Sequence, residues 1–96
     1  MARLNWTNGA ESDLKNIFEY ISMDSKRFAA IHIKRIREKA RLLKNHPRLG
    51  RVVPELEDDN IRELIFGNYR IIYRLVNQEQ IDILTIFHSA RLLKLF

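Results

Sequence analysis

A chain of 96 residues makes one small domain, and a hydrophobic share of 46% is enough for a single core. The absence of cysteine excludes a disulfide framework and a thiolate metal site, and no stretch approaches the roughly 18 apolar residues of a membrane span. The net charge of +5 is unevenly spread: ten Lys or Arg against one acid, Glu38, fall between residues 26 and 51, whereas residues 55–63 hold five acids against Arg62, a segregation that suits phosphate or an acidic protein partner.

Met1-Ala-Arg-Leu-Asn-Trp6 lacks the apolar core of a signal peptide, so a soluble, cytoplasmic protein without a membrane partner is expected. Residues 3–6 are short and apolar enough for a first strand. Asn8, with Glu11 three residues on, offers a capping box for a helix, in which Ala10, Leu14, Ile17, Phe18 and Ile21 mark one face. Ser25 is placed to cap a second helix, where Ala29, Ile33, Ile36, Ala40 and Leu43 recur at spacings of three and four. That helix should stop near Asn45, because Pro47 disfavours helical geometry before it and has no amide hydrogen. Residues 47–50 then form a turn.

Beyond the turn the period changes to two. Tyr69, Ile71, Tyr73 and Leu75 share one face of a strand, with Arg70, Ile72, Arg74 and Val76 on the other. Gly67-Asn68 suits the tight turn before it, since glycine accepts positive φ. In the last strand Ile81, Ile83 and Thr85 alternate with Asp82, Leu84 and Ile86. The resulting β-α-α-β-β-β order is an α+β fold, a helical hairpin packed on a small, mainly antiparallel sheet whose other face is open. His32, His46 and His88 lack zinc-type spacing, so no metal or cofactor is expected.

Cations inside strands need partners or solvent, because an unpaired buried guanidinium costs several kcal/mol. Glu63, Asp82 and Glu79 are cross-strand candidates for Arg62, Arg70 and Arg74, while Tyr69 and Tyr73 belong to the core face.

The run Pro47-Arg-Leu-Gly-Arg-Val-Val-Pro-Glu55, followed by Ile61-Arg-Glu-Leu64, Asn68-Tyr-Arg-Ile-Ile-Tyr-Arg74 and His88-Ser-Ala-Arg91, resembles the RelE/ParE superfamily of toxins from bacterial type II toxin–antitoxin systems. Trp6, the Asp13-Leu14 pair, and Tyr20-Ile21 ahead of Asp24-Ser25 extend the likeness over almost the whole chain. The resemblance implies a small toxin held inactive in a hetero-oligomer by a cognate antitoxin. RelE-like members cleave messenger RNA in the ribosome, and ParE-like members poison DNA gyrase; the fold does not decide between them.

Cleaving RNA through its 2′-hydroxyl needs a base, an acid and cations for the phosphate. By the resemblance those roles fall to Glu55 as base, His88 as acid, and Arg70 and Arg91 as phosphate clamps. The departures weigh against them: Ile61 and Glu63 stand where RelE-like nucleases carry lysines, and Ser89 stands where the glutamate-using branch has tyrosine. The gyrase reading requires only a surface, for which Arg62, Arg70, Arg74, His88, Arg91 and Lys94 are the candidates. It agrees better with Gly50-Arg-Val-Val-Pro-Glu55 and His88-Ser-Ala-Arg91 and assigns no catalytic residue. The apolar residues 92–96 are read as packing on the sheet. A third reading, a nucleic-acid-binding domain with the second helix as a basic ridge, lacks a helix-turn-helix signature.

Overall fold

The computed structural model describes residues 1–89. Strand β1 (Arg3–Trp6) leads into helices α1 (Asn8–Ser22) and α2 (Lys26–Arg41) and a 3₁₀ turn (Leu42–Lys44). Strands β2 (Arg51–Val52), β3 (Ile61–Phe66), β4 (Tyr69–Leu75) and β5 (Gln80–His88) follow. All five strands join one sheet in the order β1-β5-β4-β3-β2. β1 runs parallel to β5, and the other pairs are antiparallel. The α+β arrangement therefore stands, with the two-residue β2 as an addition.

Local chemistry sets the helix ends. Thr7, not Asn8, caps α1: its backbone is extended and its hydroxyl accepts from the amide of Ala10 at 3.2 Å. Thr7 is held there by the sheet, since its amide and hydroxyl both donate to the Ile83 carbonyl, at 3.2 and 2.7 Å. Glu11 does not close a capping box; it turns to Arg37 on α2 instead. Ser25 caps α2 as its position predicts, accepting from Phe28 N at 3.1 Å. Both apolar faces point at the sheet. Ala10, Leu14, Ile36, Ala40 and Leu43 meet Ile71, Tyr73, Ile81 and Ile83 in one core, where each large aliphatic side chain contributes about 1.5–3 kcal/mol by leaving water.

Gly67 sits at φ +56° in the two-residue link between β3 and β4, the place where a tight hairpin needs glycine. β5 departs from simple alternation. Ile72 pairs with Thr85 but Tyr73 pairs with Ile83, so Leu84 is an extra residue, a β-bulge that reverses the phase of the strand. Ile86 consequently joins Ile81 and Ile83 in the core, instead of sharing a face with Asp82. Past the end of β1, Asp13 of α1 serves the free edge of β5, accepting from Ile86 N at 3.1 Å and from the Thr85 hydroxyl.

The sheet face away from the helices is only partly open. Val53 and Ile72 are fully buried, and Glu63 and Arg70 nearly so, with Glu55 of the turn after β2 reaching across to Arg70. Ile65, 49% exposed, and Arg74 remain open to solvent. No helix among the described residues is long and apolar enough to cross a membrane.

Candidate functional site

Antiparallel pairing of β3 with β4 puts Glu63 opposite Ile72 and one diagonal step from Arg70 on the same face. Pairing of β2 with β3 puts Arg51 directly opposite Glu63. The turn after β2 then brings Glu55 over Arg70. A chain of four alternating charges results. Arg51 Nε donates to Glu63 Oε2 at 2.6 Å, Arg70 Nε donates to Glu63 Oε1 at 2.7 Å, and Arg70 Nη1 and Nη2 donate to the two oxygens of Glu55 at 2.8 Å each.

These contacts fix the protonation states. The Arg70 guanidinium holds the Glu55 carboxyl down to about 2, and the two glutamates push the Arg70 guanidinium further into its charged form. A carboxylate gripped in this way is a poor proton acceptor at neutral pH. Arg62 anchors the same segment from β3, donating to the Gly50 carbonyl at 3.0 Å, to the Asp59 carbonyl at 3.1 Å and to the Asp59 carboxylate at 3.3 Å. Gly50 lies so close to β3 that a Cβ there would stand 2.4 Å from the Glu63 carbonyl oxygen. Its amide donates to the Tyr73 hydroxyl, which donates to the Pro47 carbonyl, both at 2.9 Å.

His88 lies elsewhere. It pairs with Tyr69, the residue before Arg70, so its side chain belongs to the opposite, helix-bearing face. The Tyr69 and His88 rings meet edge to face at 5.4 Å, and Tyr69 and Phe66 both pack against His32 of α2 at 5.5 Å. Burial, with a smaller effect of Arg35, lowers the pKa of His32, and its Nε2 is buried without a hydrogen-bond partner among the described residues. Beside this cluster a cleft of about 760 Å³ runs between α1 and the end of β5, with Asn16, Tyr20, Asn68, Tyr69 and His88 around Ile17 and Ile86.

The structure thus brings Glu55 and Arg70 together and separates them from His88 by the sheet. Arg62 and Arg70 are committed to internal partners. Arg74 is exposed and stands opposite Asp82, whose pKa is lowered chiefly by hydrogen bonds from Gln80 and Asn5 and, to a smaller extent, by Arg74. Arg91, Lys94 and residues 92–96 lie outside the described residues. Glu63 does pair across the strands with Arg70, as its cross-strand position suggests; sequence reasoning does not add Arg51 and Glu55 to that pair. The available signal is that Glu63 interrupts the apolar strand Ile61–Phe66 on the side that carries arginine in the next strand.

A family model described as the ParE toxin of the type II toxin–antitoxin system parDE matches residues 4–93. The chain belongs to the ParE toxin family. A solved structure titled "Chromosomal ParDE TA system from P. aeruginosa" superposes on it with a TM-score of 0.75 and 26% sequence identity, over 92% of this chain and 96% of that one. Among curated proteins, none matches. This ParE-family chain is accordingly a type II toxin–antitoxin toxin with the RelE/ParE fold.

Proposed function

We propose that this ParE-family toxin stops growth by inhibiting DNA gyrase in the cytoplasm, without catalysis of its own, and that a cognate antitoxin neutralises it in a hetero-oligomer. The observation that carries the reading is the commitment of Glu55 to Arg70 on one face of the sheet while His88 lies on the other. A ribonuclease needs its base and acid on the two sides of one phosphate, and this pair is not assembled around a common point. The family match and the likeness to a ParDE toxin–antitoxin system support the same reading. With Arg62 and Arg70 holding the 50–59 segment, the remaining candidates for target contact are Arg74 on the Arg70 face, His88 on the helix-bearing face, and Arg91 and Lys94. Arg62 and Arg70 keep the surface in shape.

The test is pulse labelling after induced expression of the chain alone, with DNA and protein synthesis followed separately, combined with supercoiling by purified gyrase in the presence of the purified chain. Early loss of DNA synthesis together with halted supercoiling is the expected result. Early loss of translation with cleaved messages and intact supercoiling would transfer the chain to the ribosome-dependent nucleases. Co-expression with the cognate antitoxin should restore growth.

A further inference from the structure

Helix α2 carries seven Lys or Arg in its 16 residues and one acid, Glu38. On the sheet side most cations have acidic partners: Arg48 and Arg62 share Asp59, Arg51 meets Glu63, and Arg70 meets Glu55 and Glu63, while Arg74 stays exposed. On α2 the matching stops. Among the described residues only Arg37 of the seven makes an ion pair, with Glu11 of α1. Lys26, Arg27, Lys34, Arg35 and Arg41 are exposed, and Glu38 closes no ion pair with its neighbours.

Lys39 and Arg41 in the last turn suit the helix dipole, but the rest of the placement works against the stability of the helix. Lys26 and Arg27 occupy the first turn, where no acid stands and where the helix dipole disfavours positive charge. Arg35 and Lys39, and likewise Arg37 and Arg41, repel each other at a spacing of four. Three of these cations are also in line. Arg27, Lys34 and Arg41 recur every seven residues, so they form a nearly straight row with steps of about 10.5 Å and a total length of about 21 Å. Ala30 is the small exposed residue beside the start of the row. The exposed apolar residues Phe28, Ile31 and Leu42 make a separate stripe about a quarter-turn farther round the helix.

We propose that the row Arg27–Lys34–Arg41, with Lys26 at its N-terminal end, seats the phosphate backbone of duplex DNA. The row presents its cations on one side of a helix, with Glu38, one turn from both Lys34 and Arg41, as the single acid beside it; regularly spaced cations of this kind suit a partner with a regular array of phosphates, and phosphate contacts need no apolar burial. No aromatic side chain stands in the row to stack an unpaired base, which sets the site apart from a single-strand channel. The contact is independent of base sequence and does not depend on gyrase being the toxin's target.

The test uses the full chain, a fluorescent duplex of about 20 base pairs and anisotropy between about 50 and 200 mM salt. The variant R27Q/K34Q/R41Q is compared with R3Q/R48Q/R74Q, which removes the same charge elsewhere, and circular dichroism checks that both are folded. Three phosphate contacts predict that wild-type affinity falls about 40-fold more steeply over this salt range than that of the row variant, from a slope of about 0.9 per phosphate. The control variant should keep most of the wild-type slope. Equal flattening in both variants would reduce the effect to net charge and overturn the proposal, as would absence of binding by wild type at the lowest salt. If poly-glutamate at equal charge displaces the duplex at lower concentration than unlabelled DNA does, the row belongs to an acidic protein partner and the proposal also fails.

Discussion

Arg70 holds both oxygens of Glu55 at 2.8 Å while its Nε holds Glu63, a carboxylate with 1% of its surface exposed. Glu63 is therefore the member of the network that cannot lose its partner. Arg70→Met leaves that buried charge with Arg51 alone and should cost about 3–5 kcal/mol, the range for breaking a buried pair. Glu55→Gln keeps a polar acceptor over Arg70 and should cost only about 1 kcal/mol. Urea unfolding midpoints of the two variants decide the ranking; equal losses would show that the outer pair matters as much as the buried one.

Acid should loosen the segment after β2. The Glu55 carboxyl titrates at about 2 in the folded chain against 4.5 in its reference state. The unfolded chain therefore takes up the proton first, and the stability that Glu55 contributes is complete above about pH 5 and fades as the pH falls towards 2. The whole shift corresponds to ~3 kcal/mol, but 42% of the Glu55 side chain is exposed, and screening reduces the figure to about 1 kcal/mol. Melting curves of Glu55→Gln between pH 5 and pH 2.5 should fall less steeply than those of wild type.

Substitution at His32 should act in the same direction through a different cause. Burial among Phe28, Phe66 and Tyr69, with a smaller effect of Arg35, lowers its pKa, so the unfolded chain binds the proton more readily and stability is lost as the pH falls below the ordinary histidine range. His32→Phe keeps the ring and removes the charge. Its stability relative to wild type should improve between pH 8 and pH 5, as read by thermal melts in matched ionic strength; a constant difference across that range would mean that His32 does not titrate with folding.

Gly50 should tolerate no side chain. A Cβ there meets the Glu63 carbonyl carbon at 2.8 Å as well as its oxygen, so Gly50→Ala must push β2 off β3, at about 1–3 kcal/mol. Tyr73→Phe leaves the Gly50 amide and the Pro47 carbonyl unpaired, with a similar expected loss of about 1–3 kcal/mol. Because both changes act on one contact, the double variant should lose less than the sum of the singles. Full additivity in chemical denaturation would show that the two contacts are independent.

Glu55→Gln should leave growth arrest intact. Removal of a true general base lowers a rate by about 10²–10⁴, whereas an uncatalysed block of gyrase needs no proton transfer. Plating efficiency after induction separates the two results.

The helices were legible because their signals are local. Ser25 and the apolar spacing of α2 suffice to place it, and Gly67 marks the hairpin. Three features escaped because each depends on a residue far away in sequence. Thr7 caps α1 in place of Asn8 because the sheet, through Ile83, fixes its backbone. Ile86 changes face because a bulge at Leu84 breaks an alternation that looks unbroken in the sequence. At the site, Arg70 and Glu55 were named separately, but their pairing requires the turn after β2 to fold across β4, and a guanidinium read as a phosphate clamp is instead 7% exposed between two carboxylates. The separation of Glu55 from His88 follows from the register of β4 and β5, which no local motif encodes.

The parallel pairing of β1 with β5 joins the first of the described strands to the last. While the ribosome is still translating the middle of the message, Leu4 and Trp6 have no sheet neighbour to close against, and the two helices have only part of a floor beneath them. Such long-range closure folds slowly. A chain without Gln80–His88 carries both described α-helices and yet cannot complete its sheet, so folding, and with it any poisoning of the cell that makes the chain, waits for that strand.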